Sequence, residues 1–97
     1  MAKGYWVSCY RAIKDTDAVA EYAKLAVPAI EAGGGKFLAR GGRVEAFEAG
    51  AKERTVIVEF PSIEQALETR NGDAYQAALK ALGDGAERDF RVTEGVD

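Results

Sequence analysis

The chain contains no histidine and only one cysteine, Cys9. Those two counts exclude an intrachain disulfide, a Cys/His zinc site and any Ser-His or Cys-His catalytic pair. The missing histidine also removes the commonest acid–base group and the usual axial ligand of haem, so no cofactor is expected. Basic charge is scarce as well: 13 Lys+Arg stand against 16 Asp+Glu, a net charge of −3. Little is available to draw in a phosphate backbone, and nucleic acid is not an expected partner. No apolar run approaches the ~20 residues that span a bilayer, so no membrane partner is expected either. The start, Met1-Ala2-Lys3-Gly4, lacks the apolar stretch and small-residue cleavage site of a secretory signal. A lone thiol suits a reducing compartment, and the expected location is cytoplasmic.

What is present fits one small domain over residues 1–97, with 47% hydrophobic and 30% charged residues. Tyr5-Trp6-Val7-Ser8-Cys9-Tyr10 is aromatic and β-favouring and reads as a first strand. Thr16 or Asp17 is a plausible N-cap. From there Val19, Tyr22, Ala23, Ala26, Val27 and Ile30 recur at helical steps, with Pro28 expected to kink the helix or split off its last turn. Gly33-Gly34-Gly35 ends it. Lys36 to Arg40 reads as a second strand, Gly41-Gly42 as a tight turn, and Val44 to Glu48 as a short alternating strand.

Arg54 to Phe60 is the strongest strand signal. Pro61 stops it, and Ser62 with Gln65 three residues on has the capping-box spacing. Asn71-Gly72 breaks this helix, and Asp73 can cap a further one carrying Tyr75, Ala78, Leu79 and Leu82. Phe90 to Thr93 reads as the last strand. The order β-α-β-β-α-β, its second helix in two pieces, is α+β: a ferredoxin-like antiparallel sheet with helices on one face.

Val56, Val58 and Phe60 alternate with Thr55, Ile57 and Glu59, and the more apolar set should meet the helices. In the first strand either Trp6, Ser8 and Tyr10 or Tyr5, Val7 and Cys9 face outward. The mixed outer face is a candidate interface. A chain this short gains core by pairing two such sheets, so a homodimer is expected, with an interior between the sheets.

Lys3-Gly4-Tyr5-Trp6, Gly34-Gly35-Lys36-Phe37-Leu38-Ala39-Arg40-Gly41-Gly42, Val58-Glu59-Phe60-Pro61-Ser62, Ala74-Tyr75-Gln76 and Glu94-Gly95 occur in an order and spacing that carry more information than any one phrase. Together they resemble the bacterial domain-of-unknown-function family 1330, within the dimeric α/β-barrel superfamily. The resemblance runs from Lys3 to Gly95. It implies a ferredoxin-like monomer and a dimer whose sheets close into a barrel, and no established reaction. Members often carry an aromatic pair where this chain has Thr69-Arg70, and an Arg after the late helix where it has Leu82-Gly83-Asp84.

Few side chains are equipped for chemistry. Arg40, beside Gly41-Gly42, would fork a carboxylate on a small ligand, or else serve as a surface or ion-paired residue. Glu59 would act as a general base if buried, or pair with Arg91 on a neighbouring strand. Tyr75 is the other candidate for moving a proton. Asn71 and Tyr75 would supply hydrogen bonds at the barrel mouth, or else form a turn with Gly72 and pack in the core. Trp6 and Tyr22 would line an apolar cavity, or else belong to core and interface. Cys9 reads as an inert core thiol.

Two functions follow. In the first, a homodimer binds a small organic molecule, with any catalysis independent of cofactors; the resembled superfamily includes monooxygenases and isomerases of that kind. In the second, the protein is a non-catalytic dimeric interaction or regulatory module. A cavity lined by polar groups separates the first from a packed interior.

Overall fold

A computed structural model of the chain describes residues 2–96. Strand β1 spans Gly4–Ile13, helix α1 Thr16–Ala32, strand β2 Lys36–Arg40 and strand β3 Thr55–Phe60. Helix α2 spans Ile63–Asn71, helix α3 Asp73–Leu82 and strand β4 Ala86–Glu94. The strands form one antiparallel sheet in the order β2-β3-β1-β4. This is the ferredoxin-like fold, with the second helix broken at Gly72. No helix among the described residues is long and apolar enough to cross a membrane.

Local chemistry explains the boundaries, with some departures from expectation. The cap of α1 is Asp15, not Thr16 or Asp17: its carboxylate accepts from the N–H groups of Asp17 and Ala18 at 3.0 and 3.1 Å. The helix is not split at Pro28, which lies exposed on its outer side. The N–H that proline lacks is missing there beside the exposed Lys24 and Leu25, on the side of the helix away from the sheet. Ser62 caps α2 by accepting from Gln65 N–H at 3.1 Å. The Gln65 side chain does not complete the box; it donates to the Gly33 carbonyl at 2.7 Å and so ties α2 to the end of α1. Asp73 makes no cap hydrogen bond and is simply the first residue of α3, with Gly72 as cap. Val44 to Glu48 is not a strand. Glu48 sits at φ 53°, a left-handed turn conformation, inside an irregular loop.

The choice left open for β1 is resolved in favour of Trp6, Ser8 and Tyr10 facing the helices. The core joins Trp6, Val58 and Phe60 of the sheet to Tyr22, Ala26 and Ile30 of α1, Ala66 of α2, and Tyr75, Ala78 and Leu82 of α3. Cys9 is therefore not a core residue; it is half-buried on the uncovered face, opposite Thr55 and Asp89. That face also carries Tyr5, Val7, Ile57 and Glu59, with Val7 directly opposite Ile57. Glu59 does not meet Arg91, because β1 lies between β3 and β4. It accepts instead from the Tyr5 hydroxyl at 3.0 Å, which raises the Tyr5 pKa. Arg91 pairs with Asp89 on its own strand at 3.1 Å.

The ladder has two irregularities. In β2, Phe37 and Ala39 oppose consecutive residues of β3, leaving Leu38 as the extra one. In β1 the shift falls between Tyr10 and Ala12.

Candidate functional site

On the helix side of the sheet the register lays out three rows. The innermost is Val92, Trp6, Val58 and Phe37, all apolar. The next is Phe90, Ser8, Val56 and Arg40. In the third, Arg88 stands opposite Tyr10, and Tyr10 N–H donates to the Arg54 carbonyl at 2.9 Å. Polarity thus rises along the strands toward one end of the sheet. Residues of all three rows, with Val19, Tyr22, Val27 and Ile30 of α1, enclose a cavity of about 50 Å³. It lies inside one chain, between α1 and the sheet. The sequence-based expectation of an interior between two sheets concerned a different location.

Aromatic packing fixes the inner wall. The Trp6 ring lies 4.8 Å from Tyr75, 5.0 Å from Phe60 and 5.3 Å from Phe90. Its indole N–H donates to the Ala66 carbonyl at 2.9 Å, so its polar atom is satisfied away from the cavity. Ser8 differs. Its residue is 4% exposed, and its hydroxyl is a buried side-chain polar atom with no hydrogen-bond partner. Such an atom costs about 1–3 kcal/mol unless something else pairs with it.

Arg40, Arg54 and Arg88 all line the cavity. Among the described residues no carboxylate lies within 4.0 Å of any of them. Arg40 and Arg88 are held by aromatic faces instead. The Arg88 guanidinium lies 4.9 Å from the Tyr22 ring centre and 5.2 Å from that of Phe90. Arg40 lies 4.6 Å over Phe37. Arg54 backs onto Gly41, at φ 71°, where a side chain would collide with the guanidinium. No aspartate or glutamate lines the cavity. Its electrostatic character is that of an anion site.

Arg88 also donates to the Tyr22 hydroxyl at 3.0 Å, and that oxygen lies 2.5 Å from the Tyr75 hydroxyl. Tyr75 is fully buried and does not line the cavity. If Tyr75 donates, the Tyr22 oxygen accepts twice and its own proton is free to point into the cavity. Burial pushes the Tyr22 pKa well above the ordinary tyrosine value, and Arg88 only partly opposes this. Burial likewise raises Tyr10. Both hydroxyls are protonated at neutral pH and serve as donors.

Four of the residues singled out from sequence gather here. Trp6, Tyr22 and Arg40 line the cavity, and Tyr75 stands behind Tyr22. Two stand apart. Asn71 is the exposed last residue of α2, and Glu59 is on the opposite face of the sheet. Sequence reasoning missed Ser8, Tyr10, Arg54 and Arg88. A signal existed for Arg88: it continues the alternation of Phe90 and Val92 by one step, a charge on an apolar face. Arg70 stacks over Phe90 at 4.7 Å and Tyr75 at 5.1 Å. No group of three or more His, Cys, Asp or Glu among the described residues is placed to hold a metal ion.

A family model described as "Domain of unknown function (DUF1330)" matches residues 3–96. The match spans nearly the whole chain, and the chain belongs to that family. No curated protein matches it in sequence. It is similar in structure to a Rhodopseudomonas palustris protein of unknown function, at TM-score 0.76 and 18% identity over 99% of this chain and 84% of that one. It is also similar to a Caulobacter crescentus protein described as a "putative antibiotic biosynthesis monooxygenase", at TM-score 0.60 and 16% identity over 99% and 91%. A dimeric ferredoxin-like protein of unknown function from Thermobifida fusca matches at TM-score 0.54 and 14% identity over 98% and 92%. At such identities the likeness concerns the fold.

Proposed function

We propose that this protein is a homodimer in which each chain binds a small organic anion in the cavity between α1 and the sheet. One observation carries the reading. The unpartnered Ser8 hydroxyl opens on a cavity that three arginines line and no carboxylate does. Arg88 and the rim residue Arg40 hold the negative charge, and Trp6, Phe37 and Val58 hold the apolar part. The chemistry such a site favours is stabilisation of an oxyanion on the bound molecule: positive charge from Arg88 and a hydrogen bond from Tyr22. That is one component of cofactor-independent monooxygenase or isomerase activity, and the Caulobacter crescentus neighbour is described as a "putative antibiotic biosynthesis monooxygenase".

The dimer would form through the uncovered face, with Val7 and Ile57 at its centre. The Thermobifida fusca neighbour is described as dimeric. The same apolar pair supports the second reading, a non-catalytic interaction module whose purpose is the dimer.

The test is native mass spectrometry of freshly purified protein, followed by calorimetric titration with small organic acids. A dimer that binds such acids, with binding lost in Arg88→Met, is the expected result. A dimer that binds none of them leaves the interaction module. Ile57→Lys should give a folded monomer; a wild-type monomer at micromolar concentration would remove both readings.

A further inference from the structure

The binding reading above says nothing about which acid fits, and the cavity is more selective than that reading requires. We infer that the cavity takes a short-chain 2-oxo or 2-hydroxy acid: a carboxylate head, one adjacent oxygen and a small apolar tail. This inference rests on the organic-anion reading of the same site.

Size comes first. A cavity of about 150 Å³ is known to admit benzene. This one, at about 50 Å³, has a third of that room. By the same measure it holds roughly three or four water-sized groups. The six carbons of an aromatic ring do not fit inside, whereas the two-carbon tail and adjacent C–O of a four-carbon acid do, with the carboxylate at the rim beside the exposed Arg40.

The order of the rows sets the arrangement of groups. Trp6 and Val58 lie in the apolar row, Ser8 in the next, and Tyr10 with Arg88 at the basic end. A bound acid with its tail toward Trp6 and its head toward Arg88 therefore passes Ser8 in between. There it meets a hydroxyl that has no protein partner. A carbonyl or hydroxyl oxygen next to the carboxylate satisfies that hydroxyl, and a methylene does not. An amino group at the same position would also fail. As an ammonium it brings a positive charge among three guanidinium groups with no carboxylate to offset them. The site thus distinguishes 2-oxo and 2-hydroxy acids from plain acids of the same length and from amino acids.

The experiment is isothermal titration calorimetry of the full-length protein with a matched four-carbon set: 2-oxobutyrate, 2-hydroxybutyrate, butyrate and 2-aminobutyrate, with benzoate as the ring control. Expected is binding of the oxo or hydroxy acid at least about fivefold tighter than butyrate, the low end of what an unpaired buried hydroxyl costs. 2-Aminobutyrate and benzoate should bind more weakly than butyrate. In Ser8→Ala the preference over butyrate should vanish while butyrate affinity stays. Because Arg88 also braces Tyr22, Arg40→Met on the exposed rim serves as the second charge variant, expected to weaken every acid in parallel. If butyrate or benzoate binds wild type as tightly as the oxo and hydroxy acids, the 2-oxo/2-hydroxy assignment is overturned and the organic-anion reading survives. If none of the acids binds to folded protein, both fall.

Discussion

The hydroxyls of Tyr22 and Tyr75 meet at 2.5 Å in the interior, joining α1 to α3, and Arg88 of β4 reaches the same oxygen at 3.0 Å. Three elements thus depend on one phenolic oxygen. Tyr22→Phe should cost about 2–3 kcal/mol, because it strands both the Tyr75 hydroxyl and Arg88. Tyr75→Phe should cost only about 1 kcal/mol, since Arg88 still serves Tyr22. The double variant should be less destabilised than the two single losses added together. Urea unfolding of the four proteins measures this. Equal single losses would mean that the two tyrosines contribute symmetrically.

Stability should fall in alkali. Tyr22 is held above the ordinary tyrosine value of 10.0 by burial, and Tyr10 is shifted in the same direction. A raised acid keeps its proton in the folded state after the unfolded chain has lost it. The unfolded state is then favoured as pH rises. Stability is accordingly full below about pH 10 and declines above it, by about 1.4 kcal/mol per pH unit for a group such as Tyr22. Tyr22→Phe should flatten that decline, measured as unfolding midpoints from neutrality to pH 11.

Ser8→Ala should stabilise the ligand-free protein by about 0.5–1 kcal/mol, because it removes a buried hydroxyl that has no partner. The same change should weaken ligand binding, a trade common at binding sites. A loss of more than about 1 kcal/mol in chemical denaturation would show that the hydroxyl is paired in the free protein.

The two phenylalanines Phe47 and Phe60 should behave oppositely. Phe47 is 80% exposed in the loop between β2 and β3, and Phe60 is 1% exposed against Trp6. Phe60→Ala should cost about 3–5 kcal/mol. Phe47→Ser should stay within about 0.5 kcal/mol. Thermal melts of both variants decide the matter.

The fold was legible because its signals are local and mutually consistent. Arg54 to Phe60 alternates cleanly, Pro61-Ser62 marks the following helix, and the stretch after Asp15 is helical in period. The errors have local causes too. Val44 to Glu48 alternates like a strand, yet alternation needs a neighbouring strand to pair with, and Glu48 turns away at φ 53°. Pro28 sits on the exposed side of α1, which runs unbroken through it to Ala32.

The site was half legible. Trp6, Tyr22 and Arg40 were visible as unusual residues near turns or on apolar faces. Arg88 was legible only by carrying the Phe90–Val92 alternation one step further back, past the expected start of a strand that in fact begins at Ala86. Ser8 was invisible in principle: a serine between Trp6 and Tyr10 becomes informative only once every neighbour is known to leave it unpaired. The Tyr22–Tyr75 pair spans 53 residues of sequence, and no local pattern encodes it.

Leu38, the extra residue in β2, sets the parity of everything after it in that strand. Past it, Ala39 takes the outer face and Arg40 the inner one, opposite Val56. Were Leu38 instead taken into a regular ladder, Ala39 would face inward and the arginine outward, away from the cavity, with no change in its identity. Whether Leu38 is bulged or paired acts as a switch of orientation. A relative could gain or lose a basic group at this cavity by gaining or losing the bulge alone, and an alignment column showing arginine would not reveal which face it serves.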